Sequence, residues 1–189
     1  MPEKRAPIDI SGKSLADIAA LLEDRSLPPV ERWNPGHCGD SGIRIDRDGR
    51  WWHEEREIER GAMVRLFSTV LRREPDGSHV LVTPAEKLSV AVELAPLLAT
   101  AMTSEGEGAA RRLAFQLNRG DAVIAGPDHP LRMAGEVPLV DCGRGLEAAV
   151  ARPVYYELAE IALGEGADPP GVWSDGAFFP LVAAGSTGE

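Results

Sequence analysis

Ser41 lies in Cys38-Gly39-Asp40-Ser41-Gly42, the local pattern of a serine-protease nucleophile loop. Such a nucleophile needs a general base and an orienting acid, held by separate elements of a rigid scaffold. Only 40 residues precede Ser41, His37 is the single histidine among them, and Ile43 stands where that loop carries glycine. Hydrolysis by Ser41 is therefore not expected. His37, Cys38 and Asp40 group three metal-ligating types, but no Cys-x-x-Cys or His-x-x-x-His spacing accompanies them. Neighbours in an extended segment also point apart, so no metal site is expected. Gly106-Glu107-Gly108 lacks the Lys-Ser/Thr of a phosphate loop, and Glu105 and Glu107 would repel a phosphate. Gly143-Arg144-Gly145 is a turn whose arginine keeps an anion-binding option.

The cations are more informative, because they are scarce where it matters. The chain has 20 Lys+Arg against 30 Asp+Glu, and residues 75–189 hold sixteen acids and seven bases. Nucleic-acid binding through the phosphate backbone needs concentrated positive charge, so it is not expected. Arg111 and Arg112 read as surface counter-charges beside Glu105 and Glu107. Five residues are the candidate ligand contacts. Arg44 and Trp52 come from a first hairpin, Lys87 from Thr83-Pro84-Ala85-Glu86-Lys87, and His129 and Arg132 from Asp128-His129-Pro130-Leu131-Arg132. Arginine forks grip phosphate or carboxylate with paired charge-assisted bonds, and clefts between domains are a usual place for ligands. In a strand, one of Trp51 and Trp52 must face inwards as core.

These side chains need elements to position them. Ser14 and Asp17 form a capping box that opens a helix over 14–24, with Leu15, Ile18, Ala19 and Leu22 at helical spacing. Residues 33–39 read as loop, then Asp48-Gly49 turns a hairpin from Ile43 and Ile45 into Trp51-Trp52. A helix is expected over 61–68. Strands 69–73 and 79–82 are expected to pair about Pro75-Asp76-Gly77. A strand meander then runs to residue 150 through 87–94, 97–102, 111–117, 121–125, 131–134, 137–141 and 146–150. Pro153 starts a helix over 153–163 that Gly164 ends, and Val172–Phe179 forms a last hairpin.

At 189 residues, 43% of them hydrophobic, the chain can bury a core without disulfide or metal staples. No apolar run approaches the ~20 residues that span a bilayer, so no membrane span is expected. Two cysteines make no disulfide framework, which points to a reduced, cytoplasmic chain. Two echoes suggest internal duplication. Ile58-x-Arg60-x-x-Met63-Val64-x-Leu66 matches Val150-x-Arg152-x-x-Tyr155-Tyr156-x-Leu158 at an offset of 92, and Asp48-Gly49-Arg50-Trp51-Trp52 matches Asp175-Gly176-Ala177-Phe178-Phe179. Arg152, shared with Arg60 by that repeat, is therefore ranked as structural. The expected fold is α+β: two lobes, 1–78 and 79–189, of antiparallel strands with a helix packed on each.

Several of these stretches carry a resemblance. Asn34-Pro35, Cys38-Gly39-Asp40, Arg44-Ile45 and Asp48-Gly49-Arg50-Trp51-Trp52 precede Met63-Val64-Arg65-Leu66-Phe67-Ser68. Leu81-Val82-Thr83-Pro84-Ala85-Glu86-Lys87, Asp128-His129-Pro130-Leu131-Arg132 and Gly171-Val172-Trp173 with Phe178-Phe179-Pro180-Leu181 follow. Over residues 28–182 this pattern resembles the bacterial domain-of-unknown-function 1285 family. The resemblance implies a duplicated α+β fold whose C-terminal lobe is similar to a pleckstrin-homology barrel. It also implies a nucleotide-like ligand between the lobes and a role in signalling. The expected function is thus a regulatory protein that binds a small anionic ligand, with no cofactor. The alternative is a protein–protein adaptor using the acidic C-terminal half or an exposed sheet edge, ahead of an enzyme, for which no spacing calls.

Overall fold

The computed structural model describes residues 6–23 and 26–183. Helix α1 (Leu15–Glu23) opens as its capping box requires: Ser14 Oγ accepts the Asp17 amide at 3.2 Å and donates to Asp17 Oδ2 at 2.8 Å. The first sheet then contains β1 (His37–Ile45), β2 (Trp51–His53), β3 (Arg56–Glu57), β4 (Leu71–Arg73), β5 (His79–Val82) and β6 (Glu86–Val92), with α2 (Gly61–Ser68) between β3 and β4. The second contains β7 (Leu97–Glu105), β8 (Arg112–Leu117), β9 (Ala122–Ile124), β10 (Leu131–Ala134), β11 (Val137–Asp141) and β12 (Glu147–Val150). Helix α3 (Arg152–Glu165) and the hairpin β13 (Gly171–Ser174) and β14 (Ala177–Pro180) follow.

Strand order demonstrates the duplication. The first sheet runs β3-β2-β1-β6-β5-β4 and the second β9-β8-β7-β12-β11-β10. Counted within its own half, each sheet reads third, second, first, sixth, fifth, fourth. In each, the first and last strands form a parallel central pair, β1 with β6 and β7 with β12, and every other pairing is antiparallel. The sheets are thus mixed, where antiparallel strands alone were expected. The 92-residue echo does not describe the repeat. Corresponding first strands open at His37 and Leu97, and the helices occupy different places in the two halves. Helix α2 lies on the crossover between third and fourth strands, whereas α3 comes after the sixth.

Four further expectations are corrected. Residues 37–39 are strand, because β6 supplies a parallel hydrogen-bonding partner to His37, Cys38 and Gly39 whatever their own propensity. Strands 79–82 and 86–92, placed beyond the 78/79 lobe boundary by the sequence, pair in the first sheet; the sheets divide between Val92 and Leu97. The second sheet does not close into a barrel, since β9 and β10 are its two edges. Helix α3 also runs through Gly164 and stops where Gly166 turns left-handed at φ 63°.

One core joins the halves. Ile43, Ile45 and Trp51 of the first pack in the same buried cluster as Leu97, Phe115 and Val150 of the second, with Val154 and Leu158 from α3. Trp51 is the inward tryptophan, stacked on Phe67 of α2 at 6.3 Å. The chain's first segment crosses to the far half: Ile8, Ile10, Leu15 and Ile18 are buried against Ala114 and Ala122. No helix among the described residues is long and apolar enough to cross a membrane.

Candidate functional site

The site begins with a five-residue loop. Asp46-Arg47-Asp48-Gly49-Arg50 joins β1 to β2, and its Asp-Gly turn is closed by Gly49 N donating to Asp46 O at 3.1 Å. Asp46 Oδ1 accepts the amides of Asp48 and Arg50, each at 2.9 Å, and Oδ2 accepts Trp52 Nε1 at 2.9 Å. Burial alone would raise the Asp46 pKa, but these bonds, with the charge of Arg50, outweigh it and hold the carboxyl below the usual range. Gly49, at φ 79°, lies directly against Leu98 of β7; a Cβ there would come 3.0 Å from the Leu98 Cβ. The loop is therefore pressed onto the second half.

That contact forms one wall of an open groove of about 810 Å³ between the halves. Arg47, Asp48 and Arg50 line it from the first half. Met133, Gly135, Glu136, Val137 and Pro138 of the β10–β11 hairpin line it from the second, with Arg152, Tyr155 and Tyr156 at the start of α3. Three guanidinium groups thus meet two carboxylates there. Among the described residues, Arg152 is the one arginine of the second half without a side-chain ion pair, and Arg47 and Arg50 make none either, as is also true of Arg32, Arg56, Arg60, Arg65 and Arg73 in the first half. The tyrosine rings stand 6.3 Å apart, and Tyr156 is 60% exposed. Guanidinium groups thus stand on both walls of the groove, and the two tyrosine rings on the wall from the second half.

The structure separates the residues singled out from sequence. Arg44 and Trp52 are direct cross-strand neighbours, with Arg44 Cζ 5.4 Å from the Trp52 ring and Arg44 Nη1 2.7 Å from Glu93 Oε1. They line a second, shallower concavity of about 400 Å³ with Asp40, Glu54 and Glu55. Lys87 approaches Glu74 at 3.8 Å, and Arg132 makes a two-pronged pair with Glu147 at 2.6 and 2.7 Å. His129 Nδ1 is buried 3.5 Å from Asp141 Oδ1 without a hydrogen bond. Lys87, His129 and Arg132 line neither concavity. Strand alternation explains Arg132: its neighbour Met133 takes the groove face of β10. Arg144 is held by Glu31 Oε1 at 2.8 Å and Pro28 O at 2.9 Å, which makes it a latch between the halves. Ser41 Oγ donates to Ser89 O at 2.6 Å and accepts the Ile43 amide, so its hydroxyl serves the irregular β1 backbone. Among the described residues no three His, Cys, Asp or Glu side chains cluster as metal ligands.

Sequence reasoning did not single out Arg47 and Arg50, which line the groove, and ranked Arg152, which lines it too, as structural. The signal available was the Asp-Gly turn itself, which projects flanking arginines from a hairpin tip, and a helix start just after a strand.

Comparison with known proteins follows the same two halves. Residues 28–95 match the family model for the N-terminal domain of DUF1285, a domain of unknown function, and residues 96–181 match its C-terminal domain. The chain belongs to the DUF1285 family. A DUF1285 family protein from Silicibacter pomeroyi DSS-3, known from its crystal structure, is 39% identical and superposes with a TM-score of 0.76. That alignment covers 90% of this chain and 96% of the other. A second DUF1285 crystal structure, from Shewanella baltica OS155, is 22% identical over 63% of this chain and 91% of its own, with a TM-score of 0.51, and shares the fold. No curated protein matches the chain. The DUF1285 division at 95/96 coincides with the break between the two sheets.

Proposed function

We propose that this DUF1285 protein is a ligand-responsive regulatory module that binds a small anion, phosphate-bearing and nucleotide-like, in the groove between its halves. One observation carries the reading: Arg47 and Arg50 from the first half and Arg152 from the second line a common groove, and among the described residues none of the three makes a side-chain salt bridge. In a chain of net charge −10, a groove in which three guanidinium groups outnumber two carboxylates, Asp48 and Glu136, is a local excess of positive charge that favours an anion. Tyr155 and Tyr156 add ring faces for a base or similar planar group. A ligand spanning the groove would touch both halves and so couple their relative arrangement to its own concentration. That is the property a signalling module requires.

A thermal-shift screen of pyrophosphate, nucleotides and carboxylate-bearing metabolites tests this. The expected outcome is a rise in Tm with phosphate-bearing ligands, and Arg152→Ala should weaken binding about tenfold or more. Arg132→Ala, whose partner is Glu147, should leave affinity unchanged. No stabilising ligand in the screen would favour the adaptor reading instead. That alternative draws on the exposed Tyr156 and Leu163, two turns apart on α3 and 60% and 74% accessible.

A further inference from the structure

We infer that Arg44 and Trp52 are positioning residues for the anion groove, acting through the carboxylates of Glu93 and Asp46 on the loop that carries Arg47 and Arg50. The inference rests on the groove being an anion site and adds how its first-half wall is held in place.

Each carboxylate holds one groove arginine's amide with one oxygen and a member of the Arg44–Trp52 pair with the other. Glu93 Oε1 accepts Arg44 Nη1 at 2.7 Å, and Glu93 Oε2 accepts the backbone amide of Arg47 at 3.2 Å. Asp46 Oδ2 accepts Trp52 Nε1 at 2.9 Å, and Asp46 Oδ1 accepts the backbone amide of Arg50 at 2.9 Å. Arg44 lies over the Trp52 ring and links the two grips on the β1–β2 face. The amides of both groove arginines are therefore donated to acids whose other oxygen is occupied by one member of the Arg44–Trp52 pair. Glu93 is itself fixed at the end of β6, where its amide donates to Ile45 O at 3.0 Å.

The physical consequence is preorganisation. A loop held at its amides presents its side chains from a fixed base, so less conformational freedom is lost when a ligand engages them. Loosening either grip lets the loop sample conformations in which Arg47 and Arg50 no longer face Arg152. This explains why Arg44 and Trp52 matter without touching a ligand: the stack on the outer concavity serves the groove beyond it.

Charge alone predicts the opposite sign for one variant, which makes the inference testable. Glu93→Ala removes a negative charge beside the groove, so a field effect would tighten anion binding. The positioning role predicts weaker binding instead. Calorimetry with pyrophosphate on the full chain should show Arg44→Ala and Glu93→Ala each weakening affinity by about threefold or more, the size expected for coupled neighbours. The double variant should be no worse than the poorer single one, and Arg44→Lys, which keeps the ion pair, should recover most of the loss. Glu93→Ala binding as tightly as wild type, or tighter, would overturn the proposal while leaving the groove reading intact. Absence of wild-type pyrophosphate binding would sink the groove reading, and ligand-free amide exchange then decides the loop-holding claim separately. Arg47 amide exchange should quicken in Arg44→Ala; no change there would overturn it.

Discussion

Individual side chains carry three expected outcomes. Ser174 is fully buried, with Oγ donating to Ala125 O at 2.6 Å and accepting the Leu113 amide at 2.9 Å. Ser174→Ala would strand both backbone groups in the core and should cost about 1–3 kcal/mol, read from denaturant unfolding. Burial pushes the Cys142 thiol up to about 12, whereas Cys38 is exposed. An alkylating reagent near neutral pH should therefore modify Cys38 and spare Cys142 until the chain unfolds. The Asp46 carboxyl sits below its ordinary value in the fold, so its contribution is present above the unfolded pKa and lost as pH falls through the folded one. The Trp52 indole proton should keep its NMR shift down to about pH 4, near the ordinary Asp value, and move only below it. At this scale the sequence revealed which residue types were scarce and which hairpin they occupied. It could not reveal that Arg132 finds Glu147, since that pairing joins strands fifteen residues apart across a sheet whose register is set elsewhere.

Elements decide which surfaces meet. The loop 46–50 reaches the second half because Gly49 has no Cβ where Leu98 packs. Gly49→Ala should destabilise by about 1–3 kcal/mol through overpacking added to its left-handed backbone. Gly135→Ala is the control: it shares a positive φ of 62° but faces open space, so it should cost less in the same unfolding assay. The capping box and the Asp-Gly hairpin were legible because each is a local rule, satisfied within about four residues, and strand alternation required one of Trp51 and Trp52 to face inwards without deciding which. The strand at 37–39 and the place of 86–92 in the first sheet were not legible. Both depend on the parallel pairing of β1 with β6, which brings together residues nearly fifty positions apart. No local pattern announces a parallel partner.

At the scale of the whole molecule, the repeat lies in strand order, and the two halves share one buried cluster. Duplication was inferred correctly from sequence, yet from motifs that do not correspond, because a repeated topology tolerates divergence in everything but pairing order. Sharing a core predicts a single cooperative unfolding transition, with tryptophan fluorescence and far-UV circular dichroism coincident; two separated transitions would mean independent halves. The central claim is that both halves supply the cations of one anion site. Its most direct test is a pyrophosphate titration followed by NMR of the arginine Nε–Hε groups. Signals of Arg47, Arg50 and Arg152 should shift together along one binding curve, with Arg132 and Arg144 still. Shifts confined to one half, or centred on Arg132, would contradict the account.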